Sequence, residues 1–300
     1  MIEPLHVLTL SCIVIFITAV LVRFIRTARM PVHLRWEIYP VAHDKGFEHG
    51  GSYMENQDWR NRPQEHSQLN KLKEFLTEFL FLKALFHHNR KLWWSSFPFH
   101  FGLYIIAAFA GLLVITALSS VFNVKHGGVF LSYLVQFTGI AGAILCLFGS
   151  AGLFFRRLFD KGLKKYSPIS AYFNLLLFVG ISVLMLTVGF SSSGFGPMSA
   201  YIVSFLTWSA HPEMPGPSKA LLILSLLVLA YIPLTHMSHF FMKWFTWDKI
   251  RWDDEPNLPG SKLEKRIQAA LAYPVSWSAP HIKGDGKKSW VDVATEEIEK

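Results

Sequence analysis

The sequence predicts an all-α membrane protein. It reads as five transmembrane helices, with the N-terminus outside, the C-terminus inside and a long cytoplasmic loop between helices one and two. Three observations carry this. First, 51% of the 300 residues are hydrophobic and only 17% are charged, against about 25% charged in soluble domains. Second, five stretches approach or exceed the roughly 20 apolar residues that a helix needs to cross a bilayer: Leu5–Val22, Phe97–Val121, Val129–Phe155, Ile169–Phe190 and Ala220–Met242. Third, of 29 Lys and Arg, 27 fall in residues 23–98, 156–168 or 243–300, and only Lys125 and Lys219 fall elsewhere. Basic loops stay on the cytoplasmic side. An outside N-terminus and five crossings put the C-terminus inside, so helix count and charge agree. The net charge of +8 is therefore a topology signal, not a nucleic-acid footprint.

Residues 1–22 form helix one. It lacks the basic start and small-residue cleavage site of a signal peptide, and Arg23, Arg26 and Arg29 follow it as after a retained helix. Residues 23–98 form the long loop. Met30–Pro40 is extended, Gly50, Gly51 and Pro63 mark turns, and Asn70–Trp94 shows a helical period with Leu72, Phe75, Leu76, Phe79, Leu80 and Phe86 on the apolar side. That period fits an amphipathic helix in the inner interface or one packed on a soluble partner. Pro98 opens helix two, where a missing N–H costs nothing. Residues 99–245 make a four-helix membrane bundle. Within it Pro197–Ala210 is apolar but too short to span, and reads as re-entrant or interfacial. Residues 246–300 are a cytoplasmic tail whose Trp247, Trp252, Trp277 and Trp290 argue against a purely disordered segment and for docking. Cys12 and Cys146 lie in the apolar stretches without iron–sulfur spacing and read as small buried side chains.

Two histidines carry the chemistry. A histidine inside a lipid-facing segment is expensive and needs a partner. His100 lies near the start of helix two and His239 near the end of helix five. Antiparallel crossings place both at the same depth near the inner surface. Such a pair suits the two axial positions of a haem b iron, held by ligation and an apolar pocket alone. Two imidazoles leave no open position on the iron, so the site transfers electrons and does not bind oxygen. Arg90, Lys91 and Lys243 lie at the level where haem propionates need neutralising. His236, three residues before His239, is an alternative ligand or a hydrogen-bond or proton partner at a quinone site. The plainer alternative is two unrelated interfacial histidines. His126 and His211, near the outer ends, are candidates for a second haem. His6 reads as interfacial, His87 and His88 as solvated, and His33, His43, His49, His66 and His281 as structural. No phosphate loop, dinucleotide fingerprint or nucleophile elbow is present. The spans carry no acidic residue, which weighs against an ion pump.

The layout resembles the gamma subunit of respiratory nitrate reductases. Ser96–Leu103 matches its first helix-two ligand motif, and Pro233–His239 has its Pro-to-His spacing. The resemblance implies that His100 and His239 are the axial ligands of the haem nearest the cytoplasmic partner. It also shows a departure. The family's outer ligand positions are occupied here by Ala110 and Leu221, so an outer haem would need other residues. The phrases Pro31–Pro40, Gly50–Tyr53, Glu78–Lys83 and Ala279–Lys283 resemble a sister branch, the membrane cytochromes b of heterodisulfide-reductase-like complexes in sulfate reducers. That resemblance implies a cytoplasmic iron–sulfur subunit as partner, often a periplasmic multihaem cytochrome c, and menaquinone as the small-molecule substrate. The expected function is that of a cytochrome b subunit in the respiratory chain of a cytoplasmic (inner) membrane. It would be an electron-transport part of an oxidoreductase complex rather than a self-standing enzyme. A nitrate reductase gamma subunit proper and a haem-free membrane anchor are the rivals.

Overall fold

The computed structural model describes residues 3–29, 57–58, 68–124, 128–243, 258–280 and 282–296. Five helices are long and apolar enough to cross a membrane: Pro4–Ala28, Arg90–Val121, Gly128–Phe159, Ile169–Gly189 and Gly216–Leu234. Among the described residues the remaining regular structure is also helical, apart from two isolated bridges, Pro274–Ser289 and Ala279–Ile282. The extended and turn segments expected over 30–56, together with His33, His43, His49, His66, His126 and His281, lie outside the described residues.

The elements run α1 Pro4–Ala28, α2 Gln68–Phe81, α3 Lys83–His88, α4 Arg90–Val121, α5 Gly128–Phe159, α6 Lys161–Lys165, α7 Ile169–Gly189, α8 Gly196–Thr207 and α9 Gly216–Tyr231. Two 3-10 turns follow at Ile232–Leu234 and His236–Ser238, then a helical stretch over 239–243, α10 Lys262–Leu271 and α11 Trp290–Thr295. The chain divides into two compact units. One holds Met1–Thr18 and Leu76–Thr235, the other Ala19–Phe75 and His236–Lys300.

In the first unit α4 packs on α5, α5 on α7 and α7 on α9, while α8 lies against α4 and α9. Apolar side chains gain little by leaving lipid for one another, so membrane helices hold together through close packing, which small residues permit. The α4–α5 crossing shows the rule. A Cβ on Gly102 would stand 2.5 Å from the Cys146 backbone nitrogen, and one on Gly149 would stand 2.2 Å from that of Phe99. Ala143, Cys146 and Ser150 continue the buried seam of α5.

Three expectations about boundaries are corrected. Pro98 does not open helix two but sits inside α4, which starts at Arg90. The Asn89 side chain caps it, accepting the Leu92 N–H at 3.1 Å, and Pro98 removes only a single backbone donor from the helix. The amphipathic period over 70–94 is likewise three helices. Leu82, in the left-handed region at φ 52°, and Asn89 separate them. The fifth apolar stretch is not one helix to Met242. Pro233 lacks an N–H and its ring crowds the preceding turn, and the chain leaves α9 at Tyr231 for the 3-10 turns.

In the second unit, residues 258–296 build a small helical module. Leu263, Ala270 and Val275 are buried. Ser289 and Asp292 form a reciprocal capping box at the start of α11. Trp277 and Trp290 meet at 6.1 Å. The tail is folded here, as its tryptophans suggest.

Candidate functional site

His100 stands in the third turn of α4, half-buried. Its Nδ1–H donates to the Ser96 carbonyl at 2.7 Å, with the Ser96 hydroxyl 3.3 Å away. A carbonyl oxygen only accepts, so this contact fixes the proton on Nδ1 and leaves the lone pair on Nε2. That is the tautomer of an imidazole that ligates through Nε2. The surroundings are aromatic. Phe99 meets His100 and Phe178 edge-on, both at 5.3 Å, while Trp93, Phe97 and Phe101 stack along α4 at 4.6 and 5.5 Å.

His239 shows the same device. Its Nδ1–H donates to the His236 carbonyl at 3.1 Å, which again puts the lone pair on Nε2. Both His236 and His239 are exposed. The apolar span ends at Leu234, so His239 follows the span instead of lying three residues inside its end. The helical stretch 239–243 is held to the end of α1: Arg23 Nη1 donates to the buried Ser238 hydroxyl at 2.7 Å, and the Thr27 hydroxyl meets Met242 Sδ at 3.1 Å. The structure thus brings His236 and His239 together in one segment of the second unit, with Lys243 half-buried one turn further on. His100 belongs to the first unit.

The expected propionate partners are placed as follows. The Arg90 guanidinium lies 4.2 Å over the Phe86 ring. Lys91 is exposed, and its carbonyl accepts from Arg156 Nη1 at 2.7 Å. Sequence reasoning missed Ser96, Arg23 and Ser238. Ser96 is legible only through helical spacing, four residues before His100. Arg23 and Ser238 have no sequence signal beyond an arginine at a helix end.

At the start of α1 stands His6, expected to be interfacial; it is 1% exposed. The short apolar segment expected at 197–210 folds as α8 and covers it. His6 Nε2 lies 3.4 Å from the Ser204 hydroxyl, and the rings of Tyr201, Phe205 and Trp208 stand 5.5, 5.6 and 5.8 Å away. The Tyr201 hydroxyl donates to the Leu5 carbonyl at 3.0 Å and meets the Thr9 hydroxyl at 2.5 Å. Burial pushes the Tyr201 phenol above its ordinary value, so it stays a neutral donor. His211, a candidate outer ligand, donates from Nδ1 to the Pro212 carbonyl at 2.9 Å and has Nε2 3.8 Å from the Glu3 carboxylate. Its ring lies 6.4 Å from that of His6. The positions where the outer pair would stand hold an exposed Ala110 and a buried Leu221, neither of which can ligate. Among the described residues no three His, Cys, Asp or Glu side chains cluster as a metal-ion site.

No curated protein and no solved structure matches the chain. A family model, that of the nitrate reductase gamma subunit, matches residues 83–249. The match covers more than half of the chain and runs from α3 through four of the five candidate spans, His100 and His239 included. With its five apolar helices, this multi-pass membrane protein belongs to the nitrate reductase gamma subunit family.

Proposed function

We propose that the chain is the membrane cytochrome b subunit of a respiratory redox complex. It would pass electrons between menaquinol and a cytoplasmic iron–sulfur subunit of the heterodisulfide-reductase-like kind. His100 and His239 would hold one haem b near the cytoplasmic surface. The observation that carries the reading is the shared tautomer. Each imidazole gives its Nδ1–H to a backbone carbonyl, so each presents the Nε2 lone pair that an iron ligand needs. Family membership adds to it. When bound, the haem would supply a one-electron carrier with no open iron position.

The chain's own residues do the rest. The Ser96 and His236 carbonyls orient the two rings and raise their basicity. Phe99 and the stacked face of Trp93, Phe97 and Phe101 exclude water. Arg90, Lys91 and Lys243 supply positive charge where propionates would emerge. The exposed His236 ring can accept a proton or hydrogen bond from a quinol beside this segment. The folded module of residues 258–296, with the loop after α1, makes the cytoplasmic docking surface. Basic-loop bias supports the orientation. A periplasmic multihaem cytochrome c would complete the complex.

The test is reconstitution. The complex would be purified through this chain and given a menaquinol analogue. The reading predicts b-type reduction followed by reduction of a co-purifying iron–sulfur protein. Co-purification of a molybdenum subunit would favour the nitrate reductase gamma reading proper, which the family match supports and the Ala110 and Leu221 positions oppose. A complex without b-type absorbance would leave only a membrane anchor.

A further inference from the structure

Pro233 cuts His239 off from the helix expected to carry it. α9 ends at Tyr231, and two 3-10 turns separate it from the helical stretch 239–243. That stretch is little more than one turn, and isolated helices below about 12 residues are marginal in water. The bond from His239 Nδ1 to the His236 carbonyl is local to the segment. It orients the ring within the segment but does not fix the segment to the protein. That task falls to contacts with another element.

The last turns of α1 supply such contacts. Arg23 and Thr27 stand four residues apart and so share one face of α1. They are half-buried, while every other residue from Leu21 to Arg29 is exposed. They meet Ser238 and Met242, also four residues apart. Arg23 Nη1 donates to the Ser238 hydroxyl at 2.7 Å, and the Thr27 hydroxyl donates to Met242 Sδ at 3.1 Å. The two contacts are in register, turn against turn. The first is charge-assisted, about twice as strong as a neutral bond. Ser238 is 3% exposed, so water competes little for its hydroxyl, and it is the residue joined to His239 through the chain. Arg26 and Arg29 are exposed and serve as the ordinary basic flank of a span. Arg23 differs from them in being aimed at one buried hydroxyl.

We propose that Arg23 is a positioning residue for the His239 imidazole, holding through Ser238 the turn that carries it. The end of α1, which lies outside the family match over residues 83–249, is then part of the haem site. The proposal rests on the reading of His239 as an iron ligand. It has two separable consequences. Through Ser238, Arg23 fixes the ligand's orientation, and outer partners of metal ligands are typically worth about tenfold or more in affinity. Through its charge, Arg23 favours the reduced haem, which carries one positive charge fewer than the oxidised form, and so raises the midpoint potential.

The experiment measures haem loss to apomyoglobin and the midpoint potential of the b-type absorbance in the whole purified protein. Arg23→Gln is expected to lose haem about tenfold faster than the wild type and to titrate at a lower potential. Ser238→Ala removes the acceptor but no charge, and is expected to lose haem faster with the potential near that of the wild type. Arg23→Lys keeps the charge and a donor, and is expected to hold the wild-type potential. Arg26→Gln removes the same charge from the same flank, and is expected to match the wild type in both readouts. If Arg23→Gln does not fold, Ser238→Ala carries the test. Wild-type haem retention in folded Arg23→Gln or in Ser238→Ala would overturn the proposal. So would equal shifts in Arg26→Gln and Arg23→Gln, which would reduce the effect to net charge. His239→Ala separates the two claims. Haem lost there but held in the Arg23 and Ser238 variants would sink the positioning role alone. Haem retained there, or absent from the wild type, would sink the ligand reading and the positioning role with it.

Discussion

A histidine near a membrane is ambiguous until its second nitrogen is accounted for. At His100 and His239 a backbone carbonyl accounts for it, at 2.7 and 3.1 Å, which places the proton on Nδ1, the tautomer that the proposed ligand role requires. His6 shows the opposite use of the same side chain. It is sealed under α8 with one hydroxyl partner, and its surroundings are rings. We expect His6→Ala to lower the thermal midpoint by the equivalent of about 2 kcal/mol, through a cavity beside Tyr201 and loss of the ring's contact with the Ser204 hydroxyl, with the b-type spectrum unchanged. A melt followed by intrinsic fluorescence checks the first, an absorbance spectrum the second. In the sequence His100 and His239 stand out as candidates because each lies in or beside an apolar stretch. It hid His6, since the cover comes from residues 201–208, nearly two hundred positions away, and nothing local marks the contact.

At the level of elements, packing and caps decide the outcome. The α4–α5 crossing depends on backbone approach at Gly102 and Gly149. Gly149→Val is expected to cost about 1–3 kcal/mol or more by overpacking. Gly111→Ala, where an added Cβ meets nothing within 4 Å, is expected to be neutral or to stabilise by up to about 1 kcal/mol, since alanine is the better helix former. Thermal melts of the pair separate close approach from helix propensity. The tail module carries a pH dependence with a defined sign. The Lys288 and Lys287 backbone N–H groups hold the Asp285 carboxyl below its ordinary range, and the Ser289 hydroxyl and N–H do the same for Asp292. Carboxyls depressed in the folded state stabilise it fully above the unfolded pKa and lose that contribution as pH falls through the lower folded value. Lys288 is raised by its bond to Glu296, so its contribution is full below the ordinary lysine pKa and is lost only at strongly alkaline pH, above it. Hydrogen-exchange protection of residues 258–296 in the whole protein, taken relative to intrinsic exchange at each pH, should therefore fall on acidification below the ordinary carboxylate range and hold steady through neutral pH. The spans were legible because hydropathy reports length directly. The start of α4 and the break after Tyr231 were not. Arg90–Trp94 is too polar for a hydropathy signal, Pro98 mimics a helix start, and Pro233 reads as part of a ligand motif when it is also a helix terminator.

For the whole molecule, five apolar helices and a family match over residues 83–249 describe a multi-pass membrane protein of the nitrate reductase gamma subunit family, and the proposed electron transfer would require partners. The segments proposed to face a partner are the part least legible in the sequence. The long loop and the tail carry short phrases and scattered tryptophans in place of a period, so spacing alone assigns them no fold. The most direct measurement is a pyridine haemochrome count with reduced-minus-oxidised spectra on the purified protein, for the wild type, His100→Ala and His239→Ala. The account predicts one haem b per chain in the wild type and its loss in each variant, with the helical content of all three alike. Retention of the haem in either folded variant would contradict the ligand pair, and absence of haem from the intact complex would contradict the cytochrome reading itself.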